Sequence, residues 1–444
     1  MNAVSTSGAS ARELIDARFR RTEREGRWAI ARVLGGIGAV IALGVAWAWV
    51  EPPRLRDEGM LFLERQDGAR YMSCAPLTAF EPFDADGDGE LDLVVAVEDS
   101  AFGGVERVEA WNREGEIVAS WSSDTHGSSL FGEHEWIASA GDVDGDGRGE
   151  VLLRYPTRVL SVATGAMREL GGPRELLDGL GAGDLDGDGR ADLALAFVID
   201  ERLLVMGVRG VNGDELWSSD VAQGSKRPQG PSTKARLARL GDLDGDGVAE
   251  LACVAFTRDF EHRLVVLSGA TGALLSSNTT RPWLDVANAG DVDGDGLDDV
   301  LAFTDASATV YGERGTVERL TLEMPRGVVA RALGLGDLDG DGRGELLLVA
   351  DEAGGSPSLG RIHRGSDGSV LRELRWRRDS HFPAFGIAPA GDLDGDGVND
   401  LLVSAPRLHE NELLSNAWRR PRKSWVMVYS GRFLAASSEP LEIR

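Results

Sequence analysis

Three observations predict an all-β chain, a seven-bladed β-propeller of four-stranded antiparallel blades preceded by one transmembrane helix. A nine-residue acidic motif recurs seven times between residues 84 and 400. Each copy is followed by a short apolar run of strand length, and most then show a second run and a turn signal. One uncharged apolar stretch lies near the N-terminus, and no other segment reads as a helix able to pack against it.

The composition sets the bounds. The chain has 444 residues, 42% of them hydrophobic, enough to bury a sizeable core and to exclude global disorder. Its 73 acids against 47 bases give a formal net charge of −26, the wrong sign for a nucleic-acid binder. Two cysteines exclude a disulfide scaffold and a cysteine-rich zinc module. The 58 glycines are about twice the usual share, and they cluster with the excess aspartates.

The N-terminus reads as a membrane signal. Residues 33–50 carry no charge, and 28–50 gives 23 positions broken only by Arg32, the length of a bilayer span. Trp28, Trp47 and Trp49 sit at its ends, where indoles favour the interface. Six arginines from Arg12 to Arg27 precede it, against Arg54, Arg56 and Arg65 just after it. Arginine asymmetry therefore places residues 1–27 in the cytoplasm, a signal anchor at 28–50, a linker at 51–59 and the propeller, 60–444, in the periplasm or outside the cell. A cleaved signal peptide is the alternative, with Ala46-Trp47-Ala48 as its loose cleavage site. Gly38, Ala42 and Ala46 form a weak helix-packing pattern.

The motif is D-x-D-G-D-G-x-x-[DE], starting 58, 42, 58, 49, 46 and 55 residues apart. Repeats of this length indicate solenoids, propellers or arrays. Carboxylates at positions 1, 3, 5 and 9 and the backbone carbonyl of position 7 suit Ca²⁺, a hard cation that takes six to eight oxygens. Loop 1 offers Asp84, Asp86, Asp88, Glu90 and Asp92. Loop 2 offers Asp142, Asp144, Asp146, Arg148 and Glu150, and loop 3 Asp184, Asp186, Asp188, Arg190 and Asp192. Loop 4 offers Asp242, Asp244, Asp246, Val248 and Glu250, and loop 5 Asp291, Asp293, Asp295, Leu297 and Asp299. Loop 6 offers Asp337, Asp339, Asp341, Arg343 and Glu345, and loop 7 Asp392, Asp394, Asp396, Val398 and Asp400. Position 7 varies freely, as expected where only its carbonyl is used. Position 2 is always Ala, Val or Leu and is expected to tuck inward. Up to seven Ca²⁺ ions are expected.

An EF-hand is excluded. Its loop ends on a bidentate Glu at position 12 between helices. Here position 12 is apolar in all seven copies, inside strand-like runs such as LDLVVAV and DLLVSA. The loop therefore joins two strands. A further strand follows, as in RLVVLSG and SWVMVYSG, then a turn and a final strand. The turns are expected at Glu114-Gly115, Thr164-Gly165, Asn212-Gly213, Thr271-Gly272, Arg314-Gly315, Asp367-Gly368 and Ser430-Gly431. Such units close into a ring without long exposed edges.

Residues 385–406, FGIAPAGDLDGDGVNDLLVSAP, show a Phe-Gly opening, a Gly-Asp before the loop and a closing Ala-Pro. With the other six loops they make the chain, over about 60–444, resemble the FG-GAP (integrin α-subunit type) β-propeller. The resemblance implies Ca²⁺ at the loops and connections between repeat strands on the face opposite them; integrin-type function does not carry over. It departs in loop 1, where Phe83 replaces the usual Gly, and in most openings, which lack Phe-Gly. Here all seven blades carry a loop, closer to bacterial FG-GAP proteins than to integrins.

Catalytic motifs are missing: there is no GxxxxGK[ST], GxSxG or HExxH. All six histidines read as surface residues; five of them, His126, His134, His262, His381 and His409, fall between strands or at strand starts. Residues 221–236 read as a flexible loop, and Arg419-Arg420-Pro421-Arg422-Lys423 is a basic cluster suited to an anionic partner. Cys74 and Cys253 are expected on distant blades, unpaired. The expected function is a recognition, adhesion or scaffold module with a protein or glycan ligand on the face opposite the calcium loops. The alternative is a polysaccharide-acting enzyme of lyase or hydrolase type.

Overall fold

A computed structural model describes residues 60–443 apart from 67–76, 80–81, 100–103, 113–116, 123–136, 154–156, 171–175, 201, 224–233, 257–261, 324–327, 353–355, 377–385 and 408–422. The strands form seven sheets. Strand β1 (Met60–Gln66) precedes blade 1, which is β2 (Leu77–Ala79), β3 (Leu93–Asp99), β4 (Gly104–Trp111) and β5 (Ile117–Ser122). Blade 2 is β6 (Ile137–Gly141), β7 (Glu150–Leu153), β8 (Arg158–Ser161) and β9 (Met167–Glu169). Blade 3 is β10 (Leu176–Gly183), β11 (Asp192–Ile199), β12 (Arg202–Val208) and β13 (Glu215–Gln223). Blade 4 is β14 (Lys234–Arg239), β15 (Leu251–Phe256), β16 (His262–Leu267) and β17 (Leu274–Asn278). Blade 5 is β18 (Asp285–Gly290), β19 (Asp299–Phe303), β20 (Ser307–Gly312) and β21 (Val317–Glu323). Blade 6 is β22 (Val328–Gly336), β23 (Glu345–Glu352), β24 (Ser356–His363) and β25 (Val370–Trp376). Blade 7 is β26 (Gly386–Pro389), β27 (Leu401–Arg407) and β28 (Lys423–Tyr429), and its fourth strand is β1.

The ring closes through β1, which pairs antiparallel with β28 from Met60↔Tyr429 to Gln66↔Lys423. This corrects the expectation of a hairpin turn at Ser430-Gly431. Ser430 is instead the N-cap of a one-turn helix, α1 (Gly431–Ala435). The chain then lays β29 (Leu441–Ile443) parallel against β25, the outer strand of blade 6. Buried Arg372 fastens this strap: it donates to the carbonyls of Phe433 (2.7 Å) and Glu439 (3.1 Å). The turns at Thr164-Gly165, Asn212-Gly213, Thr271-Gly272, Arg314-Gly315 and Asp367-Gly368 join third to fourth strands as expected; Glu114-Gly115 lies outside the described residues.

The core lies between blades. Apolar clusters join blades 1 and 2, 2 and 3, 3 and 4, 4 and 5, 5 and 6, and 6 and 7. Another joins Leu93 and Val95 of blade 1 to Leu402 and Val428 of blade 7. The second strand of a blade is covered on both faces, which explains continuous apolar runs such as DVLAF in β19, every residue of which is buried. Outer strands such as β17 (LLSSN) have no fully buried residue and end in a polar run. First strands crowd the hub: a Cβ at Gly181 of β10 would lie 2.7 Å from the Ala140 carbonyl of β6.

Among the described residues no helix is long and apolar enough to cross a membrane. The 1–27, 28–50 and 51–59 segments lie outside them, as do Cys74, His126, His134, His381, His409 and most of the basic cluster. Cys253 is free and buried in blade 4. His262 starts β16, and its Nδ1 pairs with the Trp283 carbonyl at 2.8 Å. One histidine is not on the surface as expected. His363 at the end of β24 is buried, with its Nδ1 2.9 Å from the Gly368 carbonyl, because it closes the turn into β25.

Candidate metal centres

Each acidic loop joins the first and second strands of a blade, so all seven lie on one face of the ring. Loop 4 shows how the residue order makes a cup. Asp242 Oδ1 accepts the Gly245 N–H at 2.7 Å and the Asp246 N–H at 3.2 Å, and its Oδ2 accepts the Gly247 N–H at 2.9 Å. Asp244 Oδ1 accepts from Asp246 N–H (3.2 Å), and Asp246 Oδ1 from Val248 N–H (2.9 Å). The chain therefore coils around its own first carboxylate. Gly245 and Gly247 permit this coil, at φ of 84° and 89°. The N–H of Gly247, followed by those of its neighbours, holds the Asp242 carboxyl below its usual range.

Positions 2 and 9 anchor the cup to the blade. The position-2 side chains Ala85, Val143, Leu185, Leu243, Val292, Leu338 and Leu393 are all buried, as expected. Their N–H groups donate to the position-9 carboxylates: Ala85 to Asp92 (2.9 Å), Val143 to Glu150 (2.9 Å), Leu185 to Asp192 (2.9 Å), Val292 to Asp299 (3.0 Å), Leu338 to Glu345 (2.6 Å) and Leu393 to Asp400 (2.9 Å). Leu243 donates likewise to Glu250. All seven position-9 acids are buried.

Burial raises their pKa. Desolvation, with the neighbouring aspartates adding repulsion, pushes Glu150 up to about 8, Glu345 and Asp400 to about 7, and Asp92 and Asp299 to about 6. Asp192 and Glu250 are raised for the same reason. The carboxylates converge. In loop 4, oxygens of Asp242, Asp244, Asp246 and Glu250 all lie within 4.8 Å of one another. Asp84, Asp86 and Asp92 converge equally, as do Asp142, Asp144 and Asp146, Asp184, Asp186 and Asp192, and Asp291, Asp293 and Asp295.

Several of these oxygens lack a partner. Glu150 Oε1, Glu250 Oε1, Glu345 Oε1 and Asp144 Oδ1 are buried without a hydrogen bond. An unsatisfied buried carboxylate oxygen is costly. A hard divalent cation bound by oxygens meets that deficit, so the residues present fit Ca²⁺.

Two groups of residues at this face were not expected from the sequence. A glycine just after the third strand packs on the position-8 carbonyl. A Cβ at Gly269 would lie 2.0 Å from the Ala249 oxygen, and one at Gly431 2.0 Å from that of Asn399. Gly210 and Gly431 also donate their N–H to Asp192 and Asp400, at 3.2 and 3.0 Å. The recurring Gly at the strand end in VRG, LSG, HRG and YSG was the signal that could have found them. The second group is arginines on loop carboxylates. Arg209 meets Asp186 at 2.6 Å, Arg319 meets Asp293 at 2.6 Å, Arg364 meets Asp339 at 2.9 Å and Arg432 meets Asp396 at 3.1 Å. No fixed spacing announces them.

Comparison with known proteins agrees with this architecture. Residues 291–348 match the FG-GAP-like repeat and 386–411 the FG-GAP repeat. Integrin alpha-PS2 of Drosophila melanogaster is 31% identical over 139 residues, 26% of this chain and 10% of that protein. Integrin alpha-V of Gallus gallus is 26% identical over 180 residues, 35% of this chain and 16% of that protein. The chain thus spans a small part of the length of these relatives. The crystal structure of BBS1N in complex with ARL6DN aligns at 11% identity and a TM-score of 0.49, over 83% of this chain and 97% of that one. The chain therefore carries FG-GAP repeats on an integrin α-like, seven-bladed β-propeller.

Proposed function

We propose that the protein is a membrane-anchored, extracytoplasmic recognition module whose seven loops each bind Ca²⁺ through the carboxylates of positions 1, 3, 5 and 9 and the carbonyl of position 7. The observation that carries the metal reading is the set of buried, partnerless oxygens on Glu150, Glu250, Glu345 and Asp144 in the acidic loops, with the carboxylates of loops 1 to 5 converging. Bound Ca²⁺ supplies the positive charge that lets these carboxylates stay ionised together. The chain's own residues do the rest: position 1 coils the loop, position 2 plugs it into the core and position 9 ties it to the second strand.

Recognition falls on the other face. Antiparallel strands alternate the two ends of a blade, so the second-to-third connections and the inter-blade connections lie away from the loops. β27 ends and β28 begins at that end, and the sequence between them, 408–422, carries most of the basic cluster. Integrin-like relatives support a protein ligand, and the cluster supports an acidic protein or anionic glycan. The membrane anchor rests on the 28–50 run alone.

The enzyme reading has one observation behind it. Arg236 of β14 lies 3.9 Å from Asp178 of β10 and 3.8 Å from Asp285 of β18, on the innermost strands of three consecutive blades. Desolvation pushes Asp178 up to about 7, despite Arg236 beside it. An ion-pair network between blades accounts for the same facts.

The deciding experiment is an array of polysaccharides, lipids and matrix proteins probed with the purified chain, with and without Ca²⁺. Ca²⁺-dependent capture, lost when Arg419, Arg420, Arg422 and Lys423 are changed to Ser, is expected. Capture that ignores both changes refutes the recognition assignment. Depolymerisation of a polysaccharide, abolished by Asp178→Asn, favours the enzyme instead.

A further inference from the structure

The chain enters the ring at the loop face. Met60, the first residue of β1, is in register with Tyr429 and, through it, with Leu401, which directly follows loop 7. Gln66, at the other end of β1, is level with Lys423 and Arg407. The apolar 28–50 run ends only nine residues, 51–59, before Met60. Nine residues reach at most about 30 Å. With the loop face toward the membrane, Met60 already stands on the membrane side. With the ring inverted, the linker would have to climb the seven-residue height of β1 as well, about 20 Å.

The rim at this level is apolar on both sides of the entry. The fourth strands of blades 1, 2 and 6 begin with Ile117, Met167 and Val370, which are 50%, 37% and 41% exposed. Each is level, through its third strand, with the residue directly after its loop: Ile117 with Leu93, Met167 with Val151 and Val370 with Leu346. Leu91 in loop 1 is exposed as well, at 38%. Blades 6, 7, 1 and 2 are consecutive neighbours, so these positions make one arc around the entry point. α1 packs at the same end and leaves Val370 open. On the far side the same level alternates, with Glu215 of blade 3 and Glu318 of blade 5 flanking Leu274 of blade 4.

From this we infer that in the calcium-loaded protein the loop face rests on the phospholipid surface of the membrane that holds the 28–50 run, with Leu91, Ile117, Met167 and Val370 seated among the headgroups. The inference rests on the anchor and calcium readings above. The tether makes the contact intramolecular, so a few partly buried apolar side chains suffice. Each loop presents four carboxylates, which lipid phosphates repel, and one Ca²⁺ neutralises half of that charge. The opposite face is then turned outward, toward the partner.

The full chain reconstituted in vesicles of phosphatidylcholine and phosphatidylglycerol tests this. In a Cys74→Ser background, where Cys253 is buried, a thiol-reactive fluorophore is placed at Ala166→Cys, beside Met167, or at Ile199→Cys, at the other end of the neighbouring blade. Lipid carrying a headgroup nitroxide should quench the dye at 166 in Ca²⁺ and leave that at 199 bright. EDTA should abolish the difference, and so should Ile117→Ser, Met167→Ser and Val370→Ser combined, with unchanged circular dichroism showing that this variant is folded. Equal quenching at the two positions, a difference unmoved by EDTA or by the triple variant, or crosslinking of position 166 to a second copy of the chain overturns the inference. Release of the chain from the vesicles by alkaline carbonate refutes the anchor reading instead, and absence of calcium by elemental analysis refutes the calcium reading.

Discussion

Replacing Glu150 by Gln should stabilise the metal-free protein and destabilise the calcium-bound one. Glu150 is buried, its Oε2 accepts the Val143 N–H at 2.9 Å, and its Oε1 has no partner. Burial pushes its carboxyl from 4.5 up to about 8. A raised acid favours the fold less as pH climbs: the penalty is absent below the ordinary value and grows until pH passes about 8. At pH 7, roughly 2.5 units above that ordinary value, the cost is about 3 kcal/mol. Glutamine can accept from Val143 in the same way and turn its amide toward Asp142 and Asp146, with no charge to desolvate. At an entropy of melting of roughly 2 cal/mol/K per residue over about 380 residues, 3 kcal/mol is about 4 °C. Thermal melts in EDTA at pH 7 should therefore rise by about 4 °C in the variant, and the gain should vanish at pH 4.5. In millimolar Ca²⁺ the variant lacks a charged ligand in loop 2 and should melt below the unmodified protein. A melting temperature lowered equally in EDTA and in Ca²⁺ would refute the reasoning.

The same structure sets further expected outcomes. In EDTA the unmodified chain should lose melting temperature steadily from pH 5 to pH 8, as Asp92, Asp299, Glu345, Asp400 and Glu150 ionise between about 6 and 8, and Ca²⁺ should flatten the slope. Gly269→Ala places a Cβ 2.0 Å from the Ala249 carbonyl and disturbs the 2.7 Å bond from Trp217 Nε1 to the Gly269 carbonyl, so a loss of about 2–4 kcal/mol is expected in chemical denaturation. Arg372→Met frees the carbonyls of Phe433 and Glu439, and about 2–4 kcal/mol of strap stability with them, which limited proteolysis after α1 would report. A reporter fused after Arg444 should be active only outside the cytoplasm; activity inside it contradicts the anchor's orientation.

The loops were legible because everything that shapes them lies within nine residues. Asp at position 1, glycines at 4 and 6, and an apolar position 2 each do a local job, so seven copies announced seven blades. Ring closure was not legible. The fourth strand of blade 7 is MLFLERQ, more than three hundred residues before its partner β28, and it carries no motif. Ser430-Gly431 looked like the other turns because Ser-Gly is a turn signal by composition; Ser430 stands at the helix N-cap without a side-chain cap hydrogen bond, so nothing in the serine itself marks the helix. The residues after the serine decide between the two, and α1 forms because Leu434 fits the core between blades 6 and 7. The guanidinium pairs were hidden for a different reason. Arg209, just after β12, is 23 residues from Asp186, and Arg319, on β21, is 26 from Asp293, so only the folded blade brings them together.

Calcium content and thermal stability, measured on the same full-length sample, test the central claim most directly. Protein purified with Ca²⁺ and freed of excess ion should carry calcium by elemental analysis. EDTA should lower its melting temperature by many degrees, and Ca²⁺ should restore it better than Mg²⁺, whose small octahedral shell fits these flexible loops poorly. No calcium in the purified protein, together with a melting curve unmoved by EDTA, would contradict the account.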